Sequence, residues 1–328
     1  MKILVTGTSG FVGGAVGRYL RLRGHHVTGL SRRPPRAQAT HRTVAHDLAL
    51  PAPELGPFDA VIHAAALSAP WGRPAAFDVA NIDGTSNALA LAARTGAHFI
   101  LISSSSVLYA PGDQHGLLEE AAPDTPSVND YARTKRAAEA LTSGYPGTWA
   151  ILRPRAVYGV GDTVLFPRIA RAARLRLLPR FRQEVPARGD LVSIDNLVRQ
   201  VARAVEGRAR GIFHLIDPAP VGIEAFVTDV LAGVGLPGPS LSIRPDLARR
   251  AATGLEALSK WTGWWEPPLT GFGIDVFTAT KTFDDSRTRA VLGPPDVPTE
   301  LAIDRFRRWW QNGSRLDDPA LGLVGEDP

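Results

Sequence analysis

Tyr131 and Lys135 stand four residues apart in Asp130-Tyr131-Ala132-Arg133-Thr134-Lys135-Arg136, a stretch that reads as helix, so both side chains project from one face. A free phenol titrates near ~10 and is a poor acid or base at neutral pH, but an ammonium nearby favours the phenolate and moves it towards the working range. The pair is a candidate device for moving a proton at a substrate oxygen. Lysine is scarce: only Lys2, Lys135, Lys260 and Lys281 stand among 37 basic residues. Each of the four therefore merits a chemical question.

A second chemical feature is Thr6-Gly7-Thr8-Ser9-Gly10-Phe11-Val12-Gly13, which follows the apolar run Ile3-Leu4-Val5 and precedes a helical stretch. In that strand–turn–helix context Gly7 suits a tight turn, Gly10 lets amides approach a pyrophosphate, and Gly13 permits close helix–sheet packing. Gly7, Ser9, Gly10, Phe11, Val12 and Gly13 are thus candidate dinucleotide contacts. At the end of the second strand stands Ser31-Arg32-Arg33, with no carboxylate to bind a ribose hydroxyl and two guanidinium groups suited to a 2′-phosphate. The expected cofactor is NADP(H), with NAD(H) as the alternative if both arginines are only solvated loop residues.

These residues need a scaffold. Short apolar runs at Lys2 to Thr6, His26 to Ser31, Thr43 to Ala45, Ala60 to His63, Phe99 to Ser103 and Trp149 to Arg153 alternate with helical stretches that begin near Val12, Ala75, Gly84 and Tyr131. That alternation predicts an α/β fold with a doubly wound parallel sheet over 1–160. Residues 161–312 read as a smaller, mostly helical substrate-binding part, with helices at Leu165 to Ala173, Asp195 to Val205, Ile223 to Ala232, Asp246 to Trp261 and Glu300 to Gln311. It returns strands at Leu191 to Ile194 and Ile212 to Ile216, and 313–328 read as a tail.

The chain of 328 residues has 44% apolar and 21% charged residues, a net charge of +5 and no cysteine. This balance is that of a folded globular protein, and it excludes disulfides, thiolate metal sites and a thiol nucleophile. No metal site is expected. The opening residues lack a signal-peptide pattern, and no apolar run approaches the ~18 residues of a membrane span, so a cytoplasmic protein is expected. A charge of +5 over this length, with no recognition module, gives no reason to expect a nucleic-acid partner.

The Gly-x-x-Gly-x-x-Gly turn, together with Tyr131 and Lys135, resembles the extended branch of the short-chain dehydrogenase/reductases, the NAD(P)-dependent epimerase/dehydratase superfamily, which have a Rossmann-type fold. The resemblance implies further roles. Asp47 and Leu48 would border the adenine, Ala64, Ala65 and Ala66 would let the cofactor lie against backbone, and Ser103 and Pro154 would border it from neighbouring strand ends. Asn81 would bend a helix and hold a relay water. Alignment of Ser104 to Ala110 with the family pattern assigns Ser105 as the hydroxyl that polarises the substrate.

Within the branch, Ala69-Pro70-Trp71-Gly72, Leu152-Arg153-Pro154-Arg155 and the stretch from Trp261 to Phe277 are similar to 3β-hydroxysteroid dehydrogenases and 2-alkyl-3-oxoalkanoate reductases. This implies an oxidoreductase that interconverts a secondary alcohol and a ketone on a hydrophobic small molecule, and a homodimer paired through helices near 84–94 and 131–141. A nucleotide-sugar epimerase is the alternative, since Arg168, Arg171, Arg174, Arg176, Arg180 and Arg182 could meet a diphosphate, although Gly189 stands where that branch carries an arginine. A non-enzymatic NADP(H)-sensing regulator ranks third, because Tyr131 and Lys135 are both retained. Trp261, Trp264 and Trp265 could line an apolar mouth, rest on a membrane or pack the cap's own core.

Overall fold

Ile3, Leu4 and Val5 are fully buried and point alternately to two faces, so the first strand must be covered by helices on both sides. A computed structural model describing residues 1–35, 38–121, 124–314 and 316 shows that arrangement. Seven strands form one parallel sheet: β1 (Lys2–Thr6), β2 (His26–Ser31), β3 (Arg42–Ala45), β4 (Ala60–His63), β5 (His98–Ile102), β6 (Trp149–Pro154) and β7 (Gly211–Leu215), in the order β3-β2-β1-β4-β5-β6-β7. The order reverses between β1 and β4, and the crevice beyond their C-terminal ends is where open α/β sheets bind ligands.

Helix α1 (Phe11–Leu22) covers one face together with the later helix of residues Ile194–Glu206, burying Val16, Leu20, Leu197 and Val201 against Ile3, Val5, Ile62 and Leu152. The other face is covered by α2 (Gly84–Ala93) and α3 (Asp130–Ser143), with Leu91 and Ala138 packed among Leu4, Val61, Phe99 and Ile151. Full burial stabilises each large aliphatic side chain by roughly 1.5–3 kcal/mol, so the two faces fix the strand order and leave its C-terminal edge free for chemistry.

The helices after β6 are α4 (Phe166–Arg174), α5 (Ile194–Glu206), α6 (Ile223–Gly233), α7 (Pro245–Thr262), α8 (Gly271–Thr278), α9 (Ser286–Leu292) and α10 (Thr299–Gln311). Within them α4, α6 and α10 build a second core around Phe166, Leu231, Phe306 and Trp309, while α7 and α8 share a small cluster of Phe181, Ala248, Ala252 and Ile274. β7 joins the main sheet, as expected of Ile212 to Ile216. The other expected return strand does not: Val192–Ser193 pairs only with Val157–Tyr158. Asp217 accepts hydrogen bonds from the backbone and hydroxyl of Ser193, from Asn196 and from Tyr158, which stops that strand after two residues and starts α5. Of the expected tail, 315 and 317–328 lie outside the described residues, whereas Leu316 packs on the second core.

Candidate active site

The glycine turn is built by exclusion. Gly7 has a φ of +73°, and a Cβ on it would lie 2.8 Å from the backbone of Ala65. A Cβ on Gly13 would come within 2.4 Å of the Gly7 carbonyl oxygen, so α1 sits as close to the turn as backbone allows. Gly10 caps α1 with no side chain, leaving the helix's first amides uncapped beside a cavity lined by Thr8, Ser9, Arg18, Pro35 and Thr163, with Phe11 at its wall. Orphan amides at the positive end of a helix, over a floor with no Cβ, fit the pyrophosphate of a dinucleotide. Val12 lies in the same first turn, packed against the core.

Ser31 is buried; its hydroxyl donates to the Arg33 carbonyl at 2.6 Å and meets the Thr8 hydroxyl at 3.2 Å. That contact holds the end of β2 against the glycine turn. Arg32 and Arg33 extend into solvent, and Arg32 approaches the half-exposed Asp47 only to 3.9 Å, a weak, screened pair. Asp47 also accepts from the Ala49 amide at 3.1 Å, and buried Leu48 is held by Asn87 of α2. The amides of Ala64 and Ala65 both donate to the Thr6 hydroxyl, while Ala66 follows them into the loop. With its lone pairs so used, Thr6 gives its proton to His63 Nδ1 at 2.8 Å; His63 Nε2 then donates to Thr85, which donates to the Asn81 carbonyl. Burial, with the Lys135 charge nearby, lowers the His63 pKa to about 3, so this relay holds a neutral imidazole.

Asn81 lies in a widened, π-type turn, Asp78–Asp83, that joins the short helix Pro74–Phe77 to α2. Its Oδ1 accepts from the Leu67 amide at 2.7 Å and its Nδ2 donates to Thr134 at 2.9 Å, tying the loop after β4 to α3. On α3, Lys135 Nζ is buried and donates to the Ile102 carbonyl at 2.7 Å; burial lowers its pKa to about 8, opposed by Glu139 one turn on. The Tyr131 phenol interacts with the hydroxyls of Ser104 and Ser68, which pull its pKa down, but burial is the larger effect and its net shift is upward. Lys135 by itself does not lower the phenol, because its Nζ turns to the Ile102 carbonyl at the end of β5.

The serine beside Tyr131 is Ser104, not Ser105. A tight 3₁₀ turn, Ser105–Leu108, starts directly after it, with Ser104 as its N-cap accepting from the Ser106 amide. The turn carries Ser105 inward, where its Oγ lies 3.2 Å from the Tyr109 hydroxyl, which in turn accepts from Arg155 Nε at 3.1 Å. Ser103 also points away from the cleft: its hydroxyl donates to Glu139, which forms a buried bidentate pair with Arg153 at 2.9 and 2.7 Å. Pro154 is buried at the end of β6, beside Leu215 of β7. Ser104 and Ser68 carry no spacing signal of their own; only knowing where β5 gives way to the 3₁₀ turn singles out Ser104.

At the cap side, Arg155 Nη1 donates to the Asp190 carbonyl, and a Cβ on Gly189 would lie 2.5 Å from that nitrogen. A side chain at position 189 would have to displace the Arg155 guanidinium from that carbonyl. Four of the six cap arginines have separate partners: Arg168 pairs with Glu266, Arg180 with Glu224, Arg182 bonds Ser242, and Arg174 lies over Trp310. Trp71, three residues past Ser68, donates from Nε1 to Ser259 of α7 at 3.0 Å and meets the Trp264 ring at 5.9 Å. These contacts close the cap onto the loop that follows β4.

Residues 3–214 match the NAD dependent epimerase/dehydratase family. The chain is 33% identical to 2-alkyl-3-oxoalkanoate reductase of Stenotrophomonas maltophilia over 94% of this chain and 98% of that one. It is 26% identical to 3 beta-hydroxysteroid dehydrogenase/Delta 5→4-isomerase of Mycobacterium tuberculosis over 92% and 88%. Among solved structures, MoeE5 in complex with UDP-glucose and NAD superposes with a TM-score of 0.73 at 20% identity, covering 96% of this chain and all of that one. That likeness gives the fold, and the family match gives the class. The chain belongs to the NAD dependent epimerase/dehydratase family and is an NAD(P)-dependent oxidoreductase of the extended short-chain dehydrogenase/reductase type.

Proposed function

We propose that the protein reduces a ketone on an apolar small molecule to a secondary alcohol, and runs the reverse reaction, with NADP(H) as cofactor. The observation that carries this reading is the Tyr131 phenol lying beside the Ser104 and Ser68 hydroxyls at the sheet edge that also holds the glycine turn. The glycine turn and the first amides of α1 would hold the dinucleotide, whose nicotinamide would supply or take up the hydride. Ser104 holds the substrate oxygen by a hydrogen bond and orients it towards Tyr131. Burial keeps Tyr131 protonated through neutral pH, the form that gives a proton to a ketone oxygen. Lys135 stays charged below about pH 8, and its bond to Ile102 fixes it one turn beyond the tyrosine.

The names of the two curated relatives place their chemistry on oxo or hydroxyl groups of largely hydrocarbon molecules. The bare Gly189 position and the dispersed cap arginines count against a nucleotide sugar. Arg32 and Arg33 favour NADP(H), since the exposed contact of Arg32 with Asp47 gives way cheaply to a phosphate. Pairing of two chains through α2 and α3 belongs to the same reading and would show as a doubled mass in light scattering.

The test is oxidation of NADPH and of NADH with long-chain 2-alkyl-3-oxo acids, 3-oxo steroids and UDP-sugars. Turnover is expected with the apolar ketones, with kcat/KM at least about tenfold higher for NADPH, and Arg32→Asp should remove that preference. Interconversion of UDP-sugars without net oxidation, or equal use of NADH, would overturn the reading. Tight NADPH binding with no turnover on any ketone would leave the sensor.

A further inference from the structure

Helix α7 is attached to the protein by one narrow side. Ala248, Ala252 and Ser259 are buried, the two alanines against Phe181 and Ile274. At 100° per residue a second stripe, about 120° round the helix from that side, carries Leu247, Ala251, Gly254, Leu258 and Trp261, spaced alternately by four and three. That outward stripe is where a surface helix normally places charges. Here Leu247 is 50% exposed, Leu258 47% and Trp261 85%, and Trp265, just past the helix, is 40% exposed.

Charge indicates what covers the stripe. No carboxylate lies on it: Asp246 is bound by Arg244, Glu256 accepts from the Gly271 amide and Glu266, next to Trp265, pairs with Arg168, while Arg250 borders the stripe and Lys260, further round the helix, lies exposed over the Trp71 ring. An apolar stripe with a cationic border and indoles at one end matches the boundary between the headgroups and acyl chains of an anionic bilayer. Long basic side chains can bury their stems along such a stripe while their charges reach the headgroups. The position of the helix agrees, because its C-terminal end is where Ser259, Lys260 and Trp264 meet Trp71, near Ser68 and Tyr131.

We infer that α7 docks the protein on an anionic lipid surface, lying in the plane of the interface with the mouth of the cleft turned towards the bilayer. No described helix is long and apolar enough to cross a membrane, so the contact is peripheral. The docking stands on the surface of α7 alone; the further step, an apolar ketone entering the cleft from the lipid, rests on the oxidoreductase reading above.

The test is flotation of the full chain with vesicles of phosphatidylcholine and of an equimolar mixture with phosphatidylglycerol, with no ketone present. The chain should float with the mixture at low salt and be released as salt screens the cations. The double variant Leu258→Ser, Trp261→Ser should lower the bound fraction about tenfold at an unchanged melting temperature. Arg250→Glu with Lys260→Glu should weaken binding to the anionic mixture selectively. Absence of flotation by the natural sequence, or flotation unchanged in both variants, would overturn the proposal. So would a dimer in light scattering that Trp261→Ser converts to monomer without any vesicle binding, which would assign the stripe to a second copy. Because no ketone is present, failure of the substrate reading cannot be mistaken for failure of docking.

Discussion

The cofactor edge of the sheet and the cap are held by opposite means. At the edge, backbone packs on backbone at Gly7, Gly13 and Ala65, and side chains such as Thr6, His63, Thr85 and Asn81 form a closed chain of hydrogen bonds. In the cap, α7 rests on two alanines and a serine and turns leucines and a tryptophan outward, while ion pairs such as Arg249–Asp275 and Arg168–Glu266 are exposed. A single added methyl group is felt at the edge, whereas much of the cap surface can change without disturbing a core.

The largest effect is expected of Tyr131→Phe, at the cofactor edge. It should lower kcat about 10²–10⁴-fold while dinucleotide affinity, followed by fluorescence titration, stays nearly unchanged. Activity retained within tenfold would mean that the edge does not hold the proton donor. A smaller effect separates neighbouring serines. Ser104→Ala should cost about 10²-fold in kcat. Ser105→Ala should leave kcat within a few-fold and instead lower stability by about 1 kcal/mol, because the Tyr109 hydroxyl loses its serine partner. Equal kcat losses at both positions would erase the distinction drawn by the 3₁₀ turn.

The smallest effect is a response to acid that should begin in the sheet. Burial lowers the pKa of His63 on β4 to about 3, and of His98 on β5 and His214 on β7 to about 4. Unfolded histidines bind protons below about 6.5 while these stay neutral in the folded chain, so stability is intact above that pH and falls as pH drops, by up to about 1.4 kcal/mol per unit per histidine. His63→Gln should flatten the limb between pH 6.5 and 5.5 by about 1 kcal/mol in urea titrations. Loss of hydrogen-exchange protection in α7 before the sheet strands would reverse the assignment.

What the sequence makes legible follows the same divide. Features set by local spacing are readable: the glycine turn, Tyr131 with Lys135, the strands of the parallel sheet, and long cap helices such as α5 and α10, found within a residue or two. Features set by contacts far along the chain are not. Four serines in a row have no periodicity to show that a 3₁₀ turn begins after Ser104. Val192–Ser193 reads as a longer strand because nothing local reveals the pull of Asp217, and α8 and α9 are too short to show a clear pattern. On α7 the large apolar residues suggest a core face, yet it is Ala248, Ala252 and Ser259 that pack, so the tryptophans of that segment could only be assigned with the structure in hand.

The widened turn at Asp78–Asp83 has a consequence for how this chain can vary in length. It holds one residue more per turn than a regular helix, and that surplus points Asn81 at Leu67 on one side and Thr134 on the other. Deleting one residue there would make the backbone more regular and swing Asn81 by about 100°, off both partners. The loop holding Ser68 would then lose its tether to the helix holding Lys135. Substitutions around the turn can drift, but its residue count is locked, so insertions and deletions should be confined to loops on the cap side of the cleft.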